Sequence, residues 1–258
     1  MTIQTNSAFR YGHTITTENQ YMNFMDDGIN ELSAILSIGS YSFSEFAQEV
    51  ARAFNDVTLT QEYTTSINYI TGQLTISSIG NFDLLVTTGT QSSISAYSLA
   101  GFVSDSLLMT SHTGANEMGF IYEPQFVLQK YVDFEDQQRA ASSKVNQSAN
   151  GQVIEVVQYG IIKEMECNIT FATNIVPQEV ILDNPNGVDD LRAFMVYGST
   201  KAPLEFIPDI DNAPEIFVKC LLESTPQSKD GTAFRLKELY PKLTGYFETG
   251  KVKFRQLN

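Results

Sequence analysis

The sequence predicts a β-rich α+β protein: antiparallel sheets, or a β-sandwich or barrel, with one or two helices packed on them. Three observations carry that prediction. Strand formers dominate, with 12 Tyr, 17 Phe and no Trp in 258 residues and many Thr, Ser, Val and Ile beside them. Only two windows repeat their apolar residues with helical period, the clearer one opening at Phe43. Most of the remaining apolar residues alternate with polar ones, the period of a half-buried strand.

Met1 to Ser7 are polar and read as an arm. Phe9 to Ile15 alternates and gives a first strand; Tyr21 to Met25 and Leu32 to Ile38 give two more, with a turn at Asp26-Asp27-Gly28 between them. Gly39 ends the third strand. A hydroxyl three residues ahead of Glu45 then predicts a capping box and a helix over 43–55. Phe43, Phe46, Ala47, Val50, Ala51 and Phe54 share one face of it, and Glu45, Gln48, Glu49 and Arg52 the other, where Arg52 reads as dispensable to the monomer. Asn55-Asp56 stops the helix. A meander follows: Val57 to Tyr63, Ser66 to Ile70, a turn at Thr71-Gly72, Leu74 to Ser77, and Phe82 to Thr87. The Phe46, Val50 and Phe54 face is expected to pack on Leu74, Ile76, Leu84 and Val86.

Gly89 to Phe102 reads as a loop with a short helical turn, and Thr110 to Gly119 as a surface loop. Phe120 to Tyr122 and Phe126 to Val132 are strands separated by Pro124. Residues 134–151 lack a packing pattern and read as a seam, which divides an N-terminal β-rich domain, 1–133, from a C-terminal one, 152–258. The second domain opens with two long strands, Gln152 to Gly160 and Ile161 to Phe171. A helix with Leu191, Phe194 and Met195 inward follows, ended by Gly198. Strands at Leu204 to Ile207 and Phe217 to Leu222 come next, and the chain closes on two short strands about the Gly250 turn. Cys167 and Cys220 each lie in an apolar run and read as buried, reduced small hydrophobes, with pairing left open.

Thirty Asp and Glu against sixteen Lys and Arg give a net charge of -14, which opposes a phosphate-binding surface and argues against specific nucleic-acid binding. The same charge suits plain solubility, or a bore through which DNA slides without sticking. No run approaches the ~20 apolar residues of a membrane span, and the polar N-terminus is unlike a signal peptide, so synthesis in the cytoplasm is expected.

Catalytic material is scarce. The two histidines, His13 and His112, are the only imidazoles, and His112 reads as an exposed loop residue beside Ser111, badly placed to activate it. No nucleophile elbow, zinc helix, Cys-x-x-Cys or phosphate loop is present. The carboxylate pairs Asp26-Asp27, Glu135-Asp136 and Asp189-Asp190 sit at turns or helix starts, where Asp is favoured locally. Asp209-Ile-Asp211-Asn212 lacks the glycine and the bidentate Glu of a calcium loop. No catalytic residue, cofactor or metal is expected.

The order from Tyr41-Ser-Phe-Ser-Glu-Phe-Ala47, through the Thr-rich hairpin ending Gly72-Gln-Leu-Thr-Ile-Ser77 and the run Asn81-Phe-Asp-Leu-Leu-Val-Thr-Thr-Gly-Thr90, to Ser98-Leu-Ala-Gly-Phe102 resembles a segment of virion structural proteins of tailed bacteriophages. Tyr122-Glu-Pro-Gln-Phe-Val-Leu-Gln-Lys-Tyr-Val132 also resembles phage tail sequence. The resemblance implies a non-enzymatic tail subunit in the virion that assembles with copies of itself into a ring, of distal-tail or baseplate type, and contacts neighbouring tail proteins. A tail-tube, tail-terminator or head-to-tail connector subunit, or a carbohydrate-binding adhesin module, is the alternative. Phe9 to Ile15 and Val252 to Leu257 are expected at sheet edges, and Lys251, Lys253 and Arg255 are the candidate oligomer interface, a basic stripe on an acidic chain.

Overall fold

Helix formation at Phe43 is settled by two reciprocal hydrogen bonds in the computed structural model, which describes residues 8–58, 60–122, 135–139, 143–147, 153–158, 162–168, 188–224, 237–239, 243–248 and 251–257. The Ser42 hydroxyl accepts from the Glu45 N–H at 3.4 Å, and the Glu45 carboxylate accepts from the Ser42 N–H at 2.9 Å. Two of the donors orphaned at a helix start are thereby satisfied.

The described residues form a β-rich α+β fold of antiparallel sheets with two helices, and none of these sheets closes into a barrel. By contact density the chain divides into two units, 1–122 with 202–217, and 123–201 with 218–258. Among the described residues no helix is long and apolar enough to cross a membrane.

The first unit begins with β1 (Ala8–Tyr11), β2 (Thr14–Ile15), β3 (Tyr21–Met25), β4 (Leu32–Ile35) and β5 (Gly39–Ser40). Helix α1 (Phe43–Val57), β6 (Tyr63–Ile67), the long β7 (Leu74–Leu84), β8 (Ser106–Thr113) and β9 (Phe120–Tyr122) complete its first pass. Strand β7 is the spine of a five-stranded sheet. Its first half carries β6 on one side, its end carries β3 and then β4, and β8 takes the opposite side. Helix α1 runs two residues past the expected stop at Asn55, whose amide is engaged by the backbone of Tyr63 at 2.8 Å in both directions. Its buried face, Phe46, Ala47, Val50 and Phe54, shares one core with Leu74, Ile76, Leu84 and Val86, the packing that the sequence pattern predicts. Phe24, Phe54, Tyr63 and Phe82 form the aromatic centre of that core, with Phe24 stacked on Phe54 at 4.3 Å.

The second unit contains β10 (Glu135–Arg139), β11 (Ser143–Gln147), β12 (Val153–Gln158), β13 (Ile162–Asn168) and helix α2 (Val188–Ser199). Strands β10 and β11 lie inside the stretch 134–151 that reads as a seam. On α2, Leu191, Phe194 and Met195 are buried, as their spacing predicts. The helix continues through Gly198, and the reversal is made at Lys201, in the left-handed region with φ 63°, whose ammonium donates to the Leu222 and Glu223 carbonyls. The chain then returns to the first unit as β14 (Pro203–Ile207), which pairs with β1 from Ala8 opposite Ile207 to Tyr11 opposite Leu204, while β9 pairs along the other side of β1. Last come β15 (Val218–Ser224), β16 (Lys237–Leu239), β17 (Leu243–Glu248) and β18 (Lys251–Gln256) in the second unit. A two-domain division along the sequence does not anticipate the return of β14, because strand pairing is set by partners remote in sequence.

Cys220 is buried. The register places Cys167 opposite Val252 and Cys220 opposite Gln256 on the two flanks of β18. Two strand spacings, roughly 9–10 Å, separate the flanking strands, more than the ~7 Å that a disulfide spans between Cα atoms.

Candidate functional site

Lys251, Lys253 and Arg255 occur at alternate positions of β18 and so share a face of that strand. Strand β18 is paired along both sides. On β13 the register sets Glu166 opposite Lys253 and Glu164 opposite Arg255; on β15 it sets Leu221 opposite Arg255. Neither this strand nor β1, held between β14 and β9, is the sheet edge that the sequence suggests. The alternation of buried Val252 and Phe254 marks a strand with one covered face and carries no record of its lateral neighbours. Arg255 also forms an ion pair with Glu223 of β15, so part of the stripe's charge is answered within the chain.

The carboxylate pairs are engaged in local structure where their side chains are described. Asp26 and Asp27 border an open cleft of about 840 Å3, lined also by Asn55, Thr58, Thr60, Gln61 and Ile79. Asp26 accepts from the Thr58 and Thr60 hydroxyls at 2.8 and 3.2 Å. Asp27 accepts from the backbone N–H of Asn30 and Ile29 at 2.7 and 2.8 Å, donors that hold its carboxyl below the usual range. A general acid needs the opposite shift. Asp209 closes its own turn, accepting from the Asn212 N–H at 3.1 Å. The side chains of Glu135, Asp136 and Asp189 lie outside the described residues. No group of three or more His, Cys, Asp and Glu converges among the described residues.

His112 is not the loop residue that its Thr- and Ser-rich surroundings suggest. It lies on β8, 1% exposed, edge-on to Phe82, with Nε2 2.9 Å from the Phe82 carbonyl and Nδ1 2.7 Å from the Ser106 hydroxyl. A carbonyl only accepts, so Nε2 carries the proton and Nδ1 accepts from Ser106. Burial lowers its pKa. The run reads as loop because its residues are small and polar, yet the hydroxyls pair across strands, Thr75 with Thr113 and Ser77 with Ser111, each at 2.9 Å.

His13 sits edge-on to Phe46 and Phe120, and burial lowers its pKa to about 4 against the opposing pull of a backbone hydrogen bond at Leu99. The unfolded imidazole binds its proton near 6.5, so between these values the unfolded state holds more protons and stability falls as pH is lowered. His13→Gln should make the loss of unfolding free energy between pH 7 and pH 5 smaller by about 2 kcal/mol than in the native chain, read by urea titration. His112 contributes slope of the same sign in both proteins. Equal losses would contradict the assignment.

One buried charged pair escapes sequence reading. Arg10 of β1 and Glu205 of β14 are register partners, both without solvent exposure. Glu205 accepts from the backbone N–H of Ser44 at 2.7 Å and from the Ser44 hydroxyl, in the first turn of α1, where a carboxylate is favoured. The Arg10 guanidinium lies 4.6 Å from the Tyr69 ring centre and 5.4 and 6.0 Å from those of Phe43 and Phe217. Its nitrogens and Glu205 Oε2 have no hydrogen-bond partner among the described residues. Desolvation lowers the arginine pKa, with the Glu205 charge opposing.

The chain matches no known family model, and no curated protein matches it. Its described residues offer carboxylates engaged in turns and a basic strand on an acidic chain.

Proposed function

We propose that this chain is a non-enzymatic structural subunit of a bacteriophage tail, assembling with its own copies into a ring of distal-tail or baseplate type and joining neighbouring tail proteins. The observation that carries the proposal is the resemblance over Tyr41 to Phe102, a stretch that supplies α1, β6, β7 and the buried Tyr97 and Phe102, much of the core of the first unit. The charge of -14 supports it too, because acidic side chains around a conduit repel the phosphate backbone of passing DNA. Lys251, Lys253 and Arg255 are the proposed contact between copies, acting through side chains that meet an acidic surface of the next subunit.

Negative-stain electron microscopy of the purified protein tests this reading. Rings are expected, and Lys251→Glu/Lys253→Glu/Arg255→Glu should lose them; because Glu164 and Glu166 would then face like charges within the chain, the neutral Lys251→Gln/Lys253→Gln variant, with native circular dichroism, should lose them too. Tubes would move the chain to the tail-tube alternative. Monodisperse monomers that bind glycans would overturn the proposal in favour of an adhesin.

A further inference from the structure

The charge of this chain is divided unevenly between its two units. The first, 1–122 with 202–217, holds fifteen Asp and Glu against two cations, Arg10 and Arg52, and has no Lys. Both arginines are engaged within the unit: Arg10 is buried, and Arg52 is held in ion pairs with Glu49 and Asp56. The other fourteen cations belong to the second unit, and eight of them fall in its closing segment, 218–258, beside four carboxylates. A chain of net charge -14 therefore carries nearly all of its excess on one unit and ends on a segment of the opposite sign.

One part of the first unit's surface combines two features that suit a lysine. Asp26, Asp27 and Glu62 line the open cleft, and none of its described lining residues is Lys or Arg. Ile79 lines it too and is 89% exposed, a large apolar side chain left in water beside the carboxylates. A lysine is apolar along its stem and charged at its tip, so it covers an isoleucine while its ammonium meets a carboxylate.

We infer that the contact between copies joins unlike units: Lys251 and Lys253 of one copy meet the first unit of the next at the cleft of Asp26, Asp27 and Glu62. The inference rests on the ring reading and names the acidic surface that the basic strand meets. Charge selects this pairing over the others. Two first units face to face oppose carboxylates with no available cation between them, and two closing segments repel as well. The remainder of the second unit, 123–201, sets six cations among eleven carboxylates and has no excess comparable to that of the first unit. A closing segment against a first unit brings opposite signs together. Such a contact uses two different patches, which is the heterologous kind that closes into a ring.

Two variants of the full chain test it, followed by light scattering on concentrated samples. Lys251→Gln/Lys253→Gln removes the basic side of the contact. Asp26→Asn/Asp27→Asn/Glu62→Gln removes the acidic side, and its amides keep an oxygen for the Thr58 and Thr60 hydroxyls and for the Ile29 and Asn30 N–H groups. Each protein alone is expected to lose rings while keeping native circular dichroism. An equimolar mixture of the two should form a heterodimer and nothing larger, because together they retain one complementary pair of patches. Glu62→Lys, a single change at an exposed residue outside the Asp27 turn, should weaken ring assembly about 10-fold or more. Rings of native strength from Glu62→Lys or from the acidic-side variant, or a mixture that stays monomeric, would overturn the cleft as the acceptor surface and leave the ring reading standing. A native chain without rings would instead remove the ring reading, and this inference with it.

Discussion

Phe54→Ala is expected to destabilise the first unit by about 3–5 kcal/mol, the range for emptying a buried aromatic site. Phe54 has no solvent exposure and touches two rings of the aromatic centre, Phe24 at 4.3 Å and Tyr63 at 5.2 Å. Tyr63 in turn meets Phe82 edge-on at 5.0 Å, so the void opens where α1, β3, β6 and β7 converge. At roughly 2–4 °C per kcal/mol for a chain of this size, the melting temperature should drop by about 10 °C, read by circular dichroism. A melting temperature within a degree or two of the native value would refute the packing of α1 on this sheet.

The second large effect is expected at Glu205. Glu205→Gln keeps an oxygen for the Ser44 N–H and hydroxyl and removes only the charge opposite Arg10. A guanidinium does not deprotonate in compensation. It is left charged and fully buried among Phe43, Tyr69 and Phe217, at an expected cost of about 3–5 kcal/mol in urea unfolding. The double variant Arg10→Met/Glu205→Gln should recover most of that loss, because a buried pair replaced by uncharged groups of similar volume is close to neutral. A single variant as stable as the native chain would mean that the two charges are not coupled.

The parts of this molecule that were legible in its sequence are those that local residues decide. Ser42 and Glu45 are three residues apart and cap α1 by themselves, and the apolar faces of α1 and α2 follow from spacing along one helix. The neighbours of β18 and β1 are decided by strands remote in sequence, and terminal position proved no guide to edge position. Arg52 falls on the polar face of α1 and reads as dispensable. It instead binds Glu49 at 2.8 Å, Asp56 and the Ile35 carbonyl. Burial pushes the Glu49 carboxyl up, and the donors from Arg52 and Ser37 outweigh it and hold the carboxyl below its usual range. Period alone does not distinguish a solvated arginine from one that compensates a buried carboxylate. Composition failed at β8 for a related reason: hydroxyl side chains that suggest a loop serve equally well as cross-strand pairs once β7 is beside them. Of the candidate interface, the sequence located the basic positions, and the pairing that already flanks them depends on the fold.

Whether the chain assembles with its own copies, as proposed, is read from mass photometry of the purified protein. A closed species at one fixed multiple of 28.7 kDa is expected, persisting on dilution and disappearing when Lys251, Lys253 and Arg255 are replaced by Glu. A single peak at 28.7 kDa at every concentration, from protein whose circular dichroism is native, would contradict it.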